Sequence, residues 1–241
     1  MILNCTNYDT ALESLVKIFD VPKSVIISVL KNVNLSDDFL QPPEDVLFDH
    51  MCRKIGEPNC CIKVIWFHGT RIEDENLFRK HGILTKTAAR GFIEPRLREM
   101  ANGLERQGSN PFSMSLSGKD GPHDEGPFAF LIRDVAIKAP SPCHNYLDAP
   151  EMVEDIAGIL LGQNYQQLVD RFKSVTKPCV VSFLAESKGY ELHHVILYVK
   201  LVLDGMVELE AGSAANTFFD SEGIVVSPER IQNVEFIKTG A

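Results

Sequence analysis

The chain has 241 residues, 44% of them hydrophobic, and sets 24 Lys and Arg against 33 Asp and Glu, for a formal net charge of −9 and a pI near 5.3. That length suits one sizeable core, or one core with a small appended helical unit. The acidic balance disfavours nucleic acid and anionic membranes as partners, and no apolar run approaches a membrane span.

Met1-Ile2-Leu3-Asn4-Cys5 lacks the basic n-region and apolar stretch of a secretory signal. Six cysteines without a C-x-x-C pair read as reduced thiols. Both features predict a cytoplasmic protein, with delivery into a host cell by a signal-peptide-independent route left open.

Residues 8–56 carry helical spacing. Leu12, Leu15, Val16 and Phe19 share one face; a second helix starts near Pro22 and presents Val25, Ile26, Val29 and Leu30; a third follows Pro42-Pro43 towards Arg53. Gly56-Glu57-Pro58-Asn59 closes this stretch, predicting an N-terminal helical segment over 1–58 and a second domain over 59–241. Short apolar runs then read as strands: Cys61–Phe67, Pro127–Ile132, Cys179–Leu184, Leu192–Leu203, Ile224–Val226 and Val234–Ile237. Ile93–Arg106 and Glu151–Ser174 read as helices, and Ser115–Gly126 as a polar loop. Strands outnumber helices after residue 60, so the predicted class is α+β.

Three stretches carry candidate chemistry. In "FHGTRIEDENLFRKHGILTKTAARG", His68 follows a strand, Gly69 lets a ligand approach the backbone, and Thr70 and Arg71 come next, before a short helix and Gly82-Ile83-Leu84. Taken alone, a histidine closing a strand is a satisfied polar residue. "PFSMSLSG" sets Phe112, Ser113 and Ser115 in a row, and a Ser-rich loop is its plain alternative. "FFDSEGIVVSPERIQNVEFIK" places Glu222 before an apolar run, a proline turn and a last strand, with Asp220 two residues earlier on the same side if the segment is extended. Singly, Glu222 is a surface acid.

In that order, the three stretches resemble the motifs of the ADP-ribosyltransferase superfamily, over roughly residues 60–238. The serines replace the tyrosine of the branch containing poly(ADP-ribose) polymerases and diphtheria-like toxins. Residues 1–56 match no part of that pattern. The resemblance implies a split β-sheet core and a mono-ADP-ribosyltransferase that cleaves NAD+ at the nicotinamide–ribose bond and passes ADP-ribose to a protein acceptor, in the manner of a bacterial toxin or effector. It equally accommodates an NAD+ glycohydrolase or an inactive binding protein. Glu222 would be the catalytic carboxylate and Asp220 a target-facing acid. His68 would hold the adenosine-side ribose, the Gly69 backbone the nicotinamide carboxamide, and Arg71 the pyrophosphate, with Thr70 assisting. Ser113 and Ser115 would brace the nicotinamide pocket, and Phe112 or Phe130 would supply the ring contact. NAD+ is the substrate and no metal is required.

The chemistry accounts for the residue types. Breaking the glycosidic bond spreads positive charge over an oxocarbenium-like transition state, which a carboxylate near the ribose 2′-hydroxyl stabilises. Upstream, the resemblance implies that residues 204–219 form an acceptor-facing loop, in which Glu208 and Glu210 would attract a basic side chain such as arginine.

Other chemistries fit less well. Cys60 and Cys61 lack a helix start that would activate a thiol. His193 and His194, read on a strand, point to opposite faces and cannot share an ion. "SGKDG" lacks P-loop spacing, and Rossmann binding has no support either.

Overall fold

The computed structural model describes residues 1–34, 41–113, 125–140 and 143–238. It is a mixed α+β protein with a multi-stranded sheet and several helices. The strands are β1 (Ile2–Leu3), β2 (Lys63–Ile72), β3 (Phe128–Phe130), β4 (Lys177–Glu186), β5 (Phe218–Asp220) and β6 (Ile231–Phe236). Hydrogen bonding orders them β5-β3-β2-β4-β6, with β1 parallel on β2. β3 is antiparallel to β2, with Phe67 opposite Phe130, and β6 is antiparallel to β4, from Cys179 opposite Phe236 to Phe183 opposite Ile231. No helix among the described residues is long and apolar enough to cross a membrane.

The chain forms two compact units. The first comprises Met1–Phe67, Phe130–Pro140 and Leu184–Phe218; the second His68–Ala129, Ser141–Phe183 and Phe219–Ala241. The first holds the expected N-terminal helices α1 (Tyr8–Phe19), α2 (Lys23–Lys31) and α3 (Pro43–Ile55), together with α6 (Arg133–Lys138), α9 (Tyr190–Leu203) and α10 (Glu208–Ala215). Asn7 starts α1 with a reciprocal capping box: its side chain accepts from Thr10 N at 2.9 Å while Thr10 Oγ1 accepts from Asn7 N at 3.1 Å.

α9 corrects the strand expected over Leu192–Leu203. It packs against α1, α2, α3 and α10, so nearly every side chain from Glu191 to Lys200 is buried. A helix apolar all round shows no 3.6-residue stripe, and its β-branched residues imitate a strand. The buried Glu191 carboxylate fixes its start by accepting from Lys188 N at 3.0 Å and Ser187 Oγ at 2.8 Å. The reading of His193 and His194 on opposite sheet faces falls with the strand. His193 instead bonds Asp45 at 2.7 Å and stacks on Phe48 of α3.

The second unit contains α4 (Asn76–His81), α5 (Lys86–Met100), α7 (Glu151–Leu161) and α8 (Tyr165–Val175). The single helix expected over Glu151–Ser174 is two, broken at Gly162. Gly162 has φ +62°, and a Cβ there would lie 2.3 Å from Gln107 O. Leu97, Val153, Ile156, Leu161, Leu168 and Phe172 form the core of this helical cluster.

Candidate functional site

β2 does not stop at Phe67. It runs on to Ile72, so His68, Gly69, Thr70 and Arg71 lie within the strand rather than past its end. His68 is half-buried, and its Nδ1 lies 2.7 Å from the Phe128 carbonyl of β3. A carbonyl only accepts, so Nδ1 carries the proton and a neutral ring leaves Nε2 as an acceptor. Burial lowers the His68 pKa from its ordinary value, and the bond to Phe128 only partly opposes this. Gly69 is buried and Thr70 half-buried.

Arg71 is committed elsewhere. Its Nε donates to Thr176 Oγ1 at 3.1 Å, Nη1 to Leu147 O at 2.7 Å, and Nη2 to Lys173 O at 3.1 Å and Thr176 O at 2.9 Å. Two of these carbonyls end α8, where a cation also suits the helix dipole. Four of the five guanidinium N–H groups are thus used on the protein, and a pyrophosphate would find one.

The Glu222 segment departs from the expected strand start. β5 ends at Asp220, and Ser221 to Ile224 form a turn in which Ile224 N donates to Ser221 O at 3.1 Å. Glu222 and Gly223, at φ 57° and 78°, are both left-handed, the signature of a type I′ turn, which favours Asn-Gly at these two positions. The other left-handed non-glycine residues among those described, Asp20 and Ala139, are helix C-caps, where that conformation is routine. Glu222 has no such excuse, so the surrounding structure has to impose it.

That structure is visible. Asp220 Oδ1 accepts from Glu222 N at 2.8 Å, turning this acid back onto its own chain. Ser221, 9% exposed, donates from Oγ to Gly126 O at 2.5 Å and from N to Pro127 O at 3.3 Å. Beyond the turn, Val226 and Ile83 exchange both backbone hydrogen bonds, at 2.9 and 3.0 Å. Ile224 and Val225, expected as a strand, are instead exposed between these two anchors, Ile224 at 68%. Gly82 makes the second anchor possible: it has φ +72°, and a Cβ on it would lie 2.0 Å from Val226 O.

Gly126, Pro127 and Phe128 therefore offer three successive carbonyls, two to Ser221 and one to His68. Strand spacing puts the His68 and Ser221 backbones about 10 Å apart, on either side of β3. Glu125, just before this run, accepts from Thr87 Oγ1 at 2.7 Å and Thr87 N at 3.1 Å at the start of α5, and these bonds lower its pKa. Ser221, Glu125 and Pro127 escaped the sequence reading. The local signal is Glu-Gly preceded by the polar Asp220 and Ser221, a turn composition that "DSEG" shares with many loops.

Of the second motif's site residues, the structure describes Phe112 and Ser113. Phe112 lies in a turn, its N–H bonded to Asn110 Oδ1 at 3.0 Å, and packs edge-on against Tyr165 and over Gly158 of α7. Ser113 is exposed, and Ser115 lies outside the described residues. Phe130 is a core ring, 6% exposed and edge-on to Phe218. The acceptor-facing loop expected over 204–219 contains α10, and Glu208 Oε2 lies 3.4 Å from Tyr198 Oη. Surface depressions over Phe48, Cys52 and Glu57, and over Thr87, Arg90 and Arg98, include none of the predicted site residues. Among the described residues, no group of three or more His, Cys, Asp or Glu side chains is arranged to hold a metal. Comparison with family models, curated proteins and solved structures finds no match to the chain.

Proposed function

We propose that the chain is a mono-ADP-ribosyltransferase of the NAD+-cleaving type, on an ADP-ribosyltransferase-like sheet, with Glu222 as its catalytic carboxylate and His68 as a substrate-binding group. The observation that supports this reading is the convergence of segments far apart in sequence. His68 and Ser221, the residue before Glu222, bond to neighbouring carbonyls of one tripeptide, and the Gly82-Ile83 turn closes the far end of the Glu222 loop.

In this reading, NAD+ lies across β3. The Nε2 lone pair of His68 accepts a hydrogen bond from a ribose hydroxyl, and the Gly69 backbone holds the nicotinamide carboxamide. As the bond to nicotinamide lengthens, charge grows at the anomeric carbon. The Glu222 carboxylate bonds the 2′-hydroxyl more strongly as that charge develops, lowering the barrier. The acceptor's nucleophilic atom then forms the new bond to the anomeric carbon and loses its proton, while nicotinamide leaves as a neutral base. Arg71 plays no part, being held at the end of α8.

Nicotinamide release from NAD+, measured with and without candidate protein acceptors alongside mass spectrometry of those acceptors, tests the proposal. Transfer gives acceptor adducts of one ADP-ribose each. Free ADP-ribose alone would make the protein a glycohydrolase, and no release under any condition would defeat the reading.

A further inference from the structure

We propose that Ser221 is a positioning residue for Glu222, and that Gly126-Pro127-Phe128 is the spacer that fixes the carboxylate relative to His68; this deepens the reading of Glu222 as the catalytic acid and rests on it. Every polar group of Ser221 is spent on the turn or on its anchor: Oγ on Gly126 O, N on Pro127 O, and O on Ile224 N. The next carbonyl along, that of Phe128, holds the His68 ring. The imidazole and the glutamate turn are thus fastened to adjacent peptide units, whose separation the covalent backbone fixes.

A glutamate in a left-handed turn needs this fastening. Position 222 favours Asn, Asp or Gly by local sterics, and a longer side chain stays there only while neighbouring contacts over-determine it. Asp220 supports the turn from within by accepting the Glu222 N–H, and the Val226–Ile83 pair holds its exit. Ser221 connects the turn's first residue to the segment that orients His68, through a hydroxyl that is almost fully buried. Without it, Glu222 can relax to an ordinary negative φ, which swings its side chain to a new direction while leaving the His68 contact intact.

The test uses the full chain and compares wild type, Ser221→Ala, Ser221→Thr, Asp220→Ala and Glu222→Gln in nicotinamide release, with NAD+ concentration varied and water, in place of a protein acceptor, taking the ADP-ribosyl group and giving up its proton. Ser221→Ala is expected to lower kcat about 10- to 100-fold, as misplacement of a catalytic group does, with KM for NAD+ essentially unchanged. Ser221→Thr keeps the hydroxyl and restores most of the rate. Asp220→Ala removes the second support without touching a buried hydroxyl, and shows the same split between kcat and KM. Amide hydrogen exchange is expected to quicken at residues 222–225 in Ser221→Ala while protection of α7 and α8 is kept, which separates loss of position from loss of fold. Wild-type kcat in Ser221→Ala beside an inactive Glu222→Gln would overturn the positioning role alone, as would a Ser221→Thr variant no better than Ser221→Ala. Full activity in Glu222→Gln would overturn the Glu222 reading, and the positioning role with it.

Discussion

An imidazole whose Nδ1–H donates a hydrogen bond to a backbone carbonyl has one chemical option left, the lone pair at Nε2. At His68 that option survives only while the ring is neutral, and burial favours neutrality by lowering its pKa. The sign follows by linkage. As pH falls through the ordinary histidine value near 6.5, the unfolded chain takes up a proton that folded His68 refuses, so this residue makes stability decline with falling pH in that window. NMR titration is expected to show His68 protonating below that value, and urea unfolding of His68→Gln should lose this part of the pH slope. A titration at or above the ordinary value would contradict the assignment. Arg71, three residues on, illustrates the opposite case of a site-like residue used for architecture. Arg71→Ala is expected to cost about 3 kcal/mol, because it orphans several part-buried acceptors at once, and to leave NAD+ affinity of the folded protein unchanged. Lysine would not rescue stability, lacking the planar fork that reaches Leu147, Lys173 and Thr176 together. An Arg71→Ala protein of normal stability and weakened NAD+ binding would restore the pyrophosphate role.

At the scale of elements, the Glu222 loop is defined by what fastens its ends. Gly82 is the tightest of these points, since a Cβ would meet the Val226 carbonyl, part of a backbone that cannot swing aside as a side chain could. Gly82→Ala is expected to break the Ile83–Val226 pair, destabilise the protein by about 1–3 kcal/mol, and cost activity beyond that loss of stability; calorimetry together with nicotinamide release checks both. Which elements could be read in advance follows from the same local physics. The three N-terminal helices show in the sequence because each buries one face and leaves a 3.6-residue stripe. α9 does not, because it is buried all round, although its 14-residue length and bracketing Gly189 and Gly205 could have told it from a strand. The polar residues that follow the apolar run at His68 and precede the one after Glu222 were legible in the sequence. The turn at Glu222 was not, because its geometry comes from Ser221 and the 126–128 carbonyls, nearly a hundred residues upstream, a distance over which local pattern carries no information.

Across the whole molecule, the chain interleaves its two units in sequence, and β2 and β4 each contribute residues to both. The candidate chemistry nonetheless falls within one of them. His68, Gly69, the 126–128 carbonyls, Asp220, Ser221 and Glu222 all belong to the second unit, while the N-terminal helices belong to the first. The formal charge of −9 opposes attraction to a nucleic-acid backbone, and under the proposed reading it would favour a basic acceptor. One carboxylate, that of Glu222, carries the proposed chemistry, and the rate of nicotinamide release from NAD+ by Glu222→Gln beside wild type, with NAD+ affinity of both measured by calorimetry, tests it. Turnover is expected to fall about 100-fold or more with affinity little changed. Equal turnover by the two proteins would contradict it.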